Sequence, residues 1–488
     1  MLFNSIDFAI FLPIVFILYW FVTNINLKLQ NALIVITSYI FYGWWDWKFL
    51  SLILFSTLVD YVVGAGLQKQ ENQTIRKMLL WTSIVVNLGF LGFFKYYNFF
   101  LENFITAFTF FGTEIQANTL NIILPVGISF YTFQTLSYSV DVYKRKLVPT
   151  TDFIAFAAFV SFFPQLVAGP IERAAHLLPQ FYKKRSFNYL LAVDGMRQIL
   201  WGLFKKIVIA DSCAEYANLI FNNSADYSGS TLALGALFFA FQIYGDFSGY
   251  SDIAIGSSRL FGFDLMRNFN FPYFSRDIAE FWRRWHISLS TWFRDYLYIP
   301  LGGSRGGTGM KVRNTFIIFI VSGFWHGANW TFIAWGALNA IYFLPLLLTN
   351  NNRNNLETVA LGKLVPNFRE LSSIIVTFLL TVFAWIFFRA ENIGHAWHFI
   401  RDMIGGLGTK NGYVQTIHLV NSKIGLALPA LLLFFIIVEW IGREGEYALA
   451  HIGENWYRPI RWSFYFIIIF LIGMFMPSAE SPFIYFQF

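Results

Sequence analysis

Residues 314–348 read NTFIIFIVSGFWHGANWTFIAWGALNAIYFLPLLL. Two nearly unbroken apolar runs meet at a short polar knot, and His326 lies in that knot. An imidazole flanked in this way sits in or beside lipid unless the protein interior uses it. Polar residues at membrane depth are costly and tend to mark function. Gly323 and Gly327 stand four residues apart around it, which leaves room for close helix approach or for a thin substrate. Ser322 falls one helical turn before His326. A Ser–His nucleophile pair is conceivable there, although membrane serines more often bond back to their own helix.

The composition extends the same reading outward. The chain has 488 residues, 56% of them hydrophobic and 13% charged, with a mean hydropathy of +0.52. Soluble domains carry roughly 25% charged residues, so the sequence is that of an integral membrane protein. Length alone would suggest about three soluble domains, but no polar block is long enough to be one. A single membrane domain, 1–488, is expected. The net charge is +7, with Lys and Arg gathered in short clusters such as QKQENQTIRK, YKRKL, YKKRS and SRGGTGMKVR. That is the pattern of cytoplasmic loops, so the charge speaks of orientation and lipid headgroups rather than nucleic acid. With one cysteine, Cys213, there is no internal disulfide and no Cys-based metal cluster.

Apolar stretches able to cross about 30 Å of hydrocarbon begin near 8–23, 31–45, 49–67, 78–94, 97–111, 120–140 and 152–169. Others lie near 231–245, 314–348, 371–388, 424–441 and 460–476. The expectation is an all-α polytopic protein of about a dozen transmembrane helices. The first run lacks a basic leader and a cleavage site, so it reads as a retained span. An N-terminus outside places Lys28, then Lys69, Arg76 and Lys77, in cytoplasmic loops. No internal repeat is visible, which counts against a secondary transporter.

Residues 170–313 differ in kind, being amphipathic, Gly-punctuated and charged. Irregular backbone at membrane depth survives only where protein or a water-filled cavity surrounds it, so re-entrant or interfacial helices around an internal chamber are expected. Within RRWHISLSTWFRDYLYIPLGGSRGG, residues 283–307, His286 sits among Arg283, Arg284 and Arg294 and, counting Trp282 just before the run, three tryptophans. An interfacial helix accounts for these without chemistry. On a functional reading, His286 lies near a cavity mouth and the arginines hold an anionic cofactor such as a nucleotide diphosphate. Arg305 and the glycine-rich turn around it would then add a guanidinium and backbone amides. In GDFSGYSD, Asp246 and Asp252 need partners if buried, and Arg283, Arg284 or Arg294 are the expected ones. No metal is expected there, because no carboxylate or second histidine recurs at ligand spacing. His176, His395, His398, His418 and His451 read as surface residues.

The 283–307 run, followed forty residues after its histidine by FWHGANWTFIAWG, resembles the membrane-bound O-acyltransferase family, and most of all its bacterial alginate O-acetyltransferase branch. The likeness extends to MLFNSIDFAIFLPIV at the start, LPVGISFYTFQTLSYSVDVY at 124–143, FFPQLVAGPIERAAHLLPQF at 162–181 and the closing FIYFQF. It implies a helical bundle around a central tunnel. His326 would be the essential catalytic histidine, and His286 would stand at a second position where the family carries His or Asn. It further implies an acyl thioester such as acetyl-CoA as donor, entering from the cytoplasm, and no metal. The acceptor would be an extracytoplasmic polysaccharide, served by a periplasmic acetyltransferase-like partner at the bacterial inner membrane. A relative that transfers D-alanine to teichoic acids shares both histidine motifs. A glycan-lipid transporter with His326 as proton relay is the competing class.

Overall fold

The computed structural model describes residues 1–112, 118–167, 169–477 and 483–484. Residue 168 of the 162–181 motif and residues 485–488 of the closing FIYFQF lie outside the described residues. Every regular element among them is helical. Six helical runs are long and apolar enough to cross a membrane, and a seventh counts if Lys410–Ile424 and Ala427–Gly442, bent by 91°, form one broken span.

The sequence-based estimate of a dozen is larger for identifiable reasons. Leu27–Lys69 counts as one run of 43 residues, yet Asp46 caps a short turn at Trp47–Phe49 that divides it into two 20-residue helices. Gln73–Phe110 is similarly interrupted by a π turn at Gly92–Tyr96. The expected spans near 120–140 and 152–169 are shorter helices, Ile128–Tyr143 and Phe153–Ser161.

The chain forms two compact units. The first comprises residues 1–192 with 257–266. Its centre is a buried polar knot rather than a plain apolar core. Asp60 accepts from Ser83 Oγ at 2.5 Å, Ser139 Oγ at 2.7 Å and Asn87 Nδ2 at 2.8 Å. These donors come from Gln73–Leu91 and Ile128–Tyr143, so one carboxylate ties three helices. A buried carboxylate is tolerable only with its lone pairs filled in this way. Elsewhere in this unit Glu172 is fully enclosed and binds His176 Nδ1 at 2.7 Å, while His176 Nε2 lies 3.4 Å from Asp264. His176 is thus a half-buried clamp rather than the surface residue expected.

The second unit comprises residues 193–256 with 267–488. Most of the 32-residue helix Gly229–Leu260 runs through it, largely enclosed by protein. Backbones approach closely at Gly249, where a Cβ would stand 2.8 Å from the Gly202 carbonyl. Asp246 and Asp252 are buried as foreseen, but their partners are lysines. Lys206 lies 2.8 Å from both Asp246 and Asp211, and Lys205 lies 2.5 Å from Asp252. The expected arginines are engaged elsewhere. Lys205 and Lys206 are buried within a π turn at Phe204–Ala210, and such turns often accompany functional regions.

Candidate active site

His326 is the last residue of the helix Gly307–His326. Gly327 then turns extended, Asn329 caps the next helix with its side chain on Thr331 N, and Trp330–Leu348 returns alongside. Glycines set the closeness of this hairpin. A Cβ at Gly323 would fall 2.2 Å from the Phe332 carbonyl oxygen, and one at Gly336 would fall 2.3 Å from that of Phe319. A Cβ at Gly327 would strike the Phe332 ring at 2.1 Å. The glycines flanking His326 therefore serve helix approach, the first of the two uses the sequence allowed.

His286 arrives from a different direction. It lies between two seven-residue helices, Ile278–Arg284 and Ile287–Phe293, at φ +44° and ψ +54°. Left-handed backbone is uncommon for a residue with a side chain, and this kink turns the imidazole inward. Only 1% of His286 and 2% of His326 is exposed, and their ring centroids are 6.5 Å apart. Trp325 lies beside both, at 6.0 and 5.0 Å. Trp335 meets His326 edge-on at 5.2 Å, Phe388 packs at 5.3 Å, and Phe247 meets His286 edge-on at 4.6 Å. The pair is thus sealed in aromatic carbon.

Asn268 fixes the protonation pattern of His286. Its Oδ1 accepts from Ser288 Oγ at 2.9 Å and faces the Ser288 backbone N–H at 3.4 Å. An N–H can only donate, so the atom in contact is the oxygen. His286 Nδ1, 3.0 Å from the same oxygen, therefore carries its proton there. In the neutral ring Nε2 is then a lone pair, and it is buried with no hydrogen-bond partner among the described residues. Asn268 Nδ2 in turn donates to Ser251 Oγ at 3.0 Å. Nothing in the sequence drew attention to Asn268. It lies eighteen residues from His286, in a stretch with no helical period to relate them.

A cavity of about 400 Å³ opens at the turn just after His326, lined by Gln242, Gly327, Asn329, Phe388, Arg389 and Glu391 among others. Three of the four arginines expected around a cofactor have separate partners. Arg283 donates to the Asn352 and Asn355 carbonyls at 2.7 and 2.8 Å. Arg284 lies 2.9 Å from Glu280 and donates to the Glu357 carbonyl at 3.2 Å. Arg294 pairs with its neighbour Asp295 at 2.7 Å and is largely exposed, as is Arg305 in its glycine-rich turn. The structure brings the two histidines together and uses Arg283 and Arg284 as ties to the 352–357 segment. His395, expected at the surface, is half-buried against Ser224 and Phe221.

A helical membrane protein with two buried, adjacent histidines on broken helices is the setting in which relatives become informative. The chain matches MBOAT, the membrane-bound O-acyltransferase family, over residues 39–385, and it belongs to that family. It is accordingly a multi-pass membrane O-acyltransferase. It is 39% identical over 454 residues to the "Probable alginate O-acetylase AlgI" of Pseudomonas aeruginosa, covering 92% of this chain and 82% of that one. It is 33% identical over 529 residues to the peptidoglycan O-acetyltransferase of Helicobacter pylori, covering 100% and 98%. A teichoic acid D-alanyltransferase of Bacillus subtilis is 30% identical over 233 residues, covering only 45% and 58%.

Proposed function

We propose that this protein moves an acetyl group from a cytoplasmic thioester, acetyl-CoA or a similar acyl carrier, across the membrane for O-acetylation of an extracytoplasmic polysaccharide of the alginate kind. The observation that carries the reading is the sealed pair of imidazoles, 6.5 Å apart, in a chain whose full-length relatives are named O-acetylating enzymes. The whole chain, 1–488, acts as one catalytic domain of the bacterial inner membrane. A periplasmic acetyltransferase-like partner completes delivery to the glycan.

Transfer to an alcohol requires removal of its proton near neutral pH, a task suited to imidazole. His326 takes the hydroxyl proton as the oxygen attacks the thioester carbonyl. The carbon–sulfur bond breaks, and the thiolate leaves with the proton returned from the imidazolium. His286 has its proton committed to Asn268, so its Nε2 accepts. It thereby positions the donor through an N–H or O–H, rather than stabilising an oxyanion. Arg294 and Arg305, on the exposed basic loop, would meet the anionic end of the donor. Arg283 and Arg284 would shape that mouth through their ties to 352–357.

Orientation follows from the hairpin. Contacts between Gly323 and Phe332, and the stacking of Trp335 on Trp385 at 5.5 Å, show that Gly307–His326, Trp330–Leu348 and Phe368–Arg389 run successively antiparallel. Arg305, Lys311, Arg313, Arg353, Lys363 and Arg369 gather at one end of this set, and His326 with the cavity stands at the other. The positive-inside tendency supports a cytoplasmic basic end and an outward-facing cavity.

The test is base-labile acetate and D-alanine released from purified envelope glycan. Cells lacking the gene are compared with cells carrying wild type or His326→Ala at matched protein level. Wild type restores acetate, and His326→Ala falls short by about 10²–10⁴-fold, the worth of a general base. D-alanine tracking the gene would overturn the acyl group, and full restoration by His326→Ala would overturn the mechanism.

A further inference from the structure

We propose that residues 361–368, which lead from the linker after Trp330–Leu348 into the helix Phe368–Arg389, form an interfacial anchor that seats the basic end of the protein on an anionic lipid surface. Four large apolar side chains stand outward within these eight residues, namely Leu361, Leu364, Val365 and Phe368. Leu364 is 77% exposed and Phe368 87%. Lys363 and Arg369 are exposed among them. A single exposed leucine is ordinary, but an apolar cluster rimmed by charge marks a surface that something covers.

The cluster is held out rigidly. Arg443, only 5% exposed, donates through Nε to the Val359 carbonyl at 3.0 Å. Its Nη2 donates to the carbonyls of Ala360 and Lys363 at 2.7 and 2.5 Å. The same guanidinium lies over the Trp440 ring at 4.1 Å, and Trp440 Nε1 donates to the Leu364 carbonyl at 2.7 Å. Glu444 Oε1 accepts from the Gly362 N–H at 2.8 Å. The backbone is left-handed at Ala360, φ +47°, and at Gly362, φ +67°, so the chain turns twice over this brace. Val359 and Ala360 pack inward with Ile374, against Phe274 and Trp440. Folding the apolar side chains back onto the protein would mean giving up these bonds.

Position and charge say what covers them. Phe368 opens a helix of membrane-spanning length and apolarity, along which Leu371, Ile375 and Leu379 are exposed. Those side chains face lipid, and the cluster extends the same surface past the start of the helix, to headgroup depth. Braced apolar side chains set among cations are the composition of an interfacial anchor. Lys363 and Arg369 lie at the end where Lys311, Arg313 and Arg353 also gather. A basic residue beside an anionic leaflet strengthens its hold by about fivefold, and long basic stems lie on apolar surface while their heads reach phosphate. An acidic carrier protein would answer the same charges, but it would have to reach a surface continuous with the lipid-facing side of a membrane helix. The anchor is independent of which acyl group is transferred.

The experiment uses the full chain in vesicles of phosphatidylethanolamine and phosphatidylglycerol. Cys213 is fully buried, so Leu364→Cys and, separately, Phe368→Cys carry a nitrobenzoxadiazole label. Both labels should be quenched by phospholipid bearing a nitroxide near the head of its acyl chain, and shielded from aqueous iodide. A label at Asn354→Cys, an exposed polar position in the same linker, should show the reverse. In vesicles of phosphatidylcholine alone, or with Lys363→Gln and Arg369→Gln together, iodide should reach the 364 label severalfold more readily. Both replaced cations are exposed, and size exclusion confirms that the variants are folded. Labels at 364 and 368 as open to iodide as the one at 354 overturn the proposal. So does shielding that appears only when an acidic acyl carrier protein is added, which would make the cluster a protein-docking surface. Shielding that is equal with and without phosphatidylglycerol, and unchanged in the double variant, overturns the anionic preference.

Discussion

At the residue scale the candidate site is two histidines and the asparagine that orients one of them. His286 and His326 stand out in sequence because imidazoles beside apolar runs are conspicuous. Asn268 does not, because its role exists only once the chain between it and His286 has folded back. Replacing Asn268 by Ala removes the acceptor that holds the Nδ1 proton and lets the imidazole rotate or change tautomer. Acyl transfer per folded enzyme should fall about tenfold, in keeping with one lost buried hydrogen bond, while membrane insertion and yield stay as in wild type. A variant with the wild-type rate would remove Asn268 from the site. The expected arginine cradle is the converse case. Charge near a histidine suggested ligand binding, and two of the four guanidiniums turned out to be occupied by backbone carbonyls and Glu280.

At the element scale the decisive device is the glycine-lined hairpin that delivers His326. Gly323→Ala places a methyl 2.2 Å from a backbone oxygen, which no rotamer change relieves. It should cost roughly 1–3 kcal/mol or more, as overpacking does, read as a lowered midpoint of thermal unfolding followed by size exclusion. Gly473→Ala, whose Cβ meets nothing within 4 Å, is the control and should be neutral or slightly stabilising.

The short helix Ala174–Leu177 carries a second prediction. Asp264 and Glu172 on either side of His176 push its proton affinity up, to a pKa of about 10. Because the folded value lies above the free one, the clamp contributes its full stability below about pH 6.5. It loses that contribution progressively as the pH rises towards 10. The thermal deficit of His176→Gln relative to wild type should therefore be greatest at pH 6 and shrink through pH 9. A deficit that is constant over that range would mean that the imidazole acts by shape alone. These elements were only partly legible beforehand. Their apolar length was plain and the break near Trp47–Phe49 shows in the polar Asp46 and Lys48, whereas the π turn at Phe204–Ala210 has no such signal.

At the scale of the whole molecule, composition alone established a helical membrane protein, and basic clusters give the expectation for its sidedness. The number of crossings depends on where the long apolar runs break, since Leu27–Lys69 counts as one run or as two 20-residue helices. Sidedness is open to direct measurement. Cys213 is fully buried, so single cysteines can be introduced against a quiet background. Ser304→Cys in the basic turn should react with an impermeant maleimide only from the cytoplasmic face, and Ile393→Cys, beyond the cavity, only from outside. Labelling of both from the same face would refute the arrangement of donor and acceptor sides. Asp246 and Asp252 were read as needing partners if buried, and lysines within a π turn, rather than the expected arginines, supply them.

The left-handed backbone at position 286 reaches beyond this one enzyme. Torsion angles there act as a filter that any substitution must pass before its chemistry is tried. Histidine, asparagine, aspartate and glycine pass readily, whereas branched and bulky side chains are turned back by their own Cβ. A lineage drifting at this site is therefore offered a short alphabet, in which the amides and imidazoles able to serve the chemistry are already over-represented. Variation at the second histidine is steered by the shape of the chain before selection on catalysis begins.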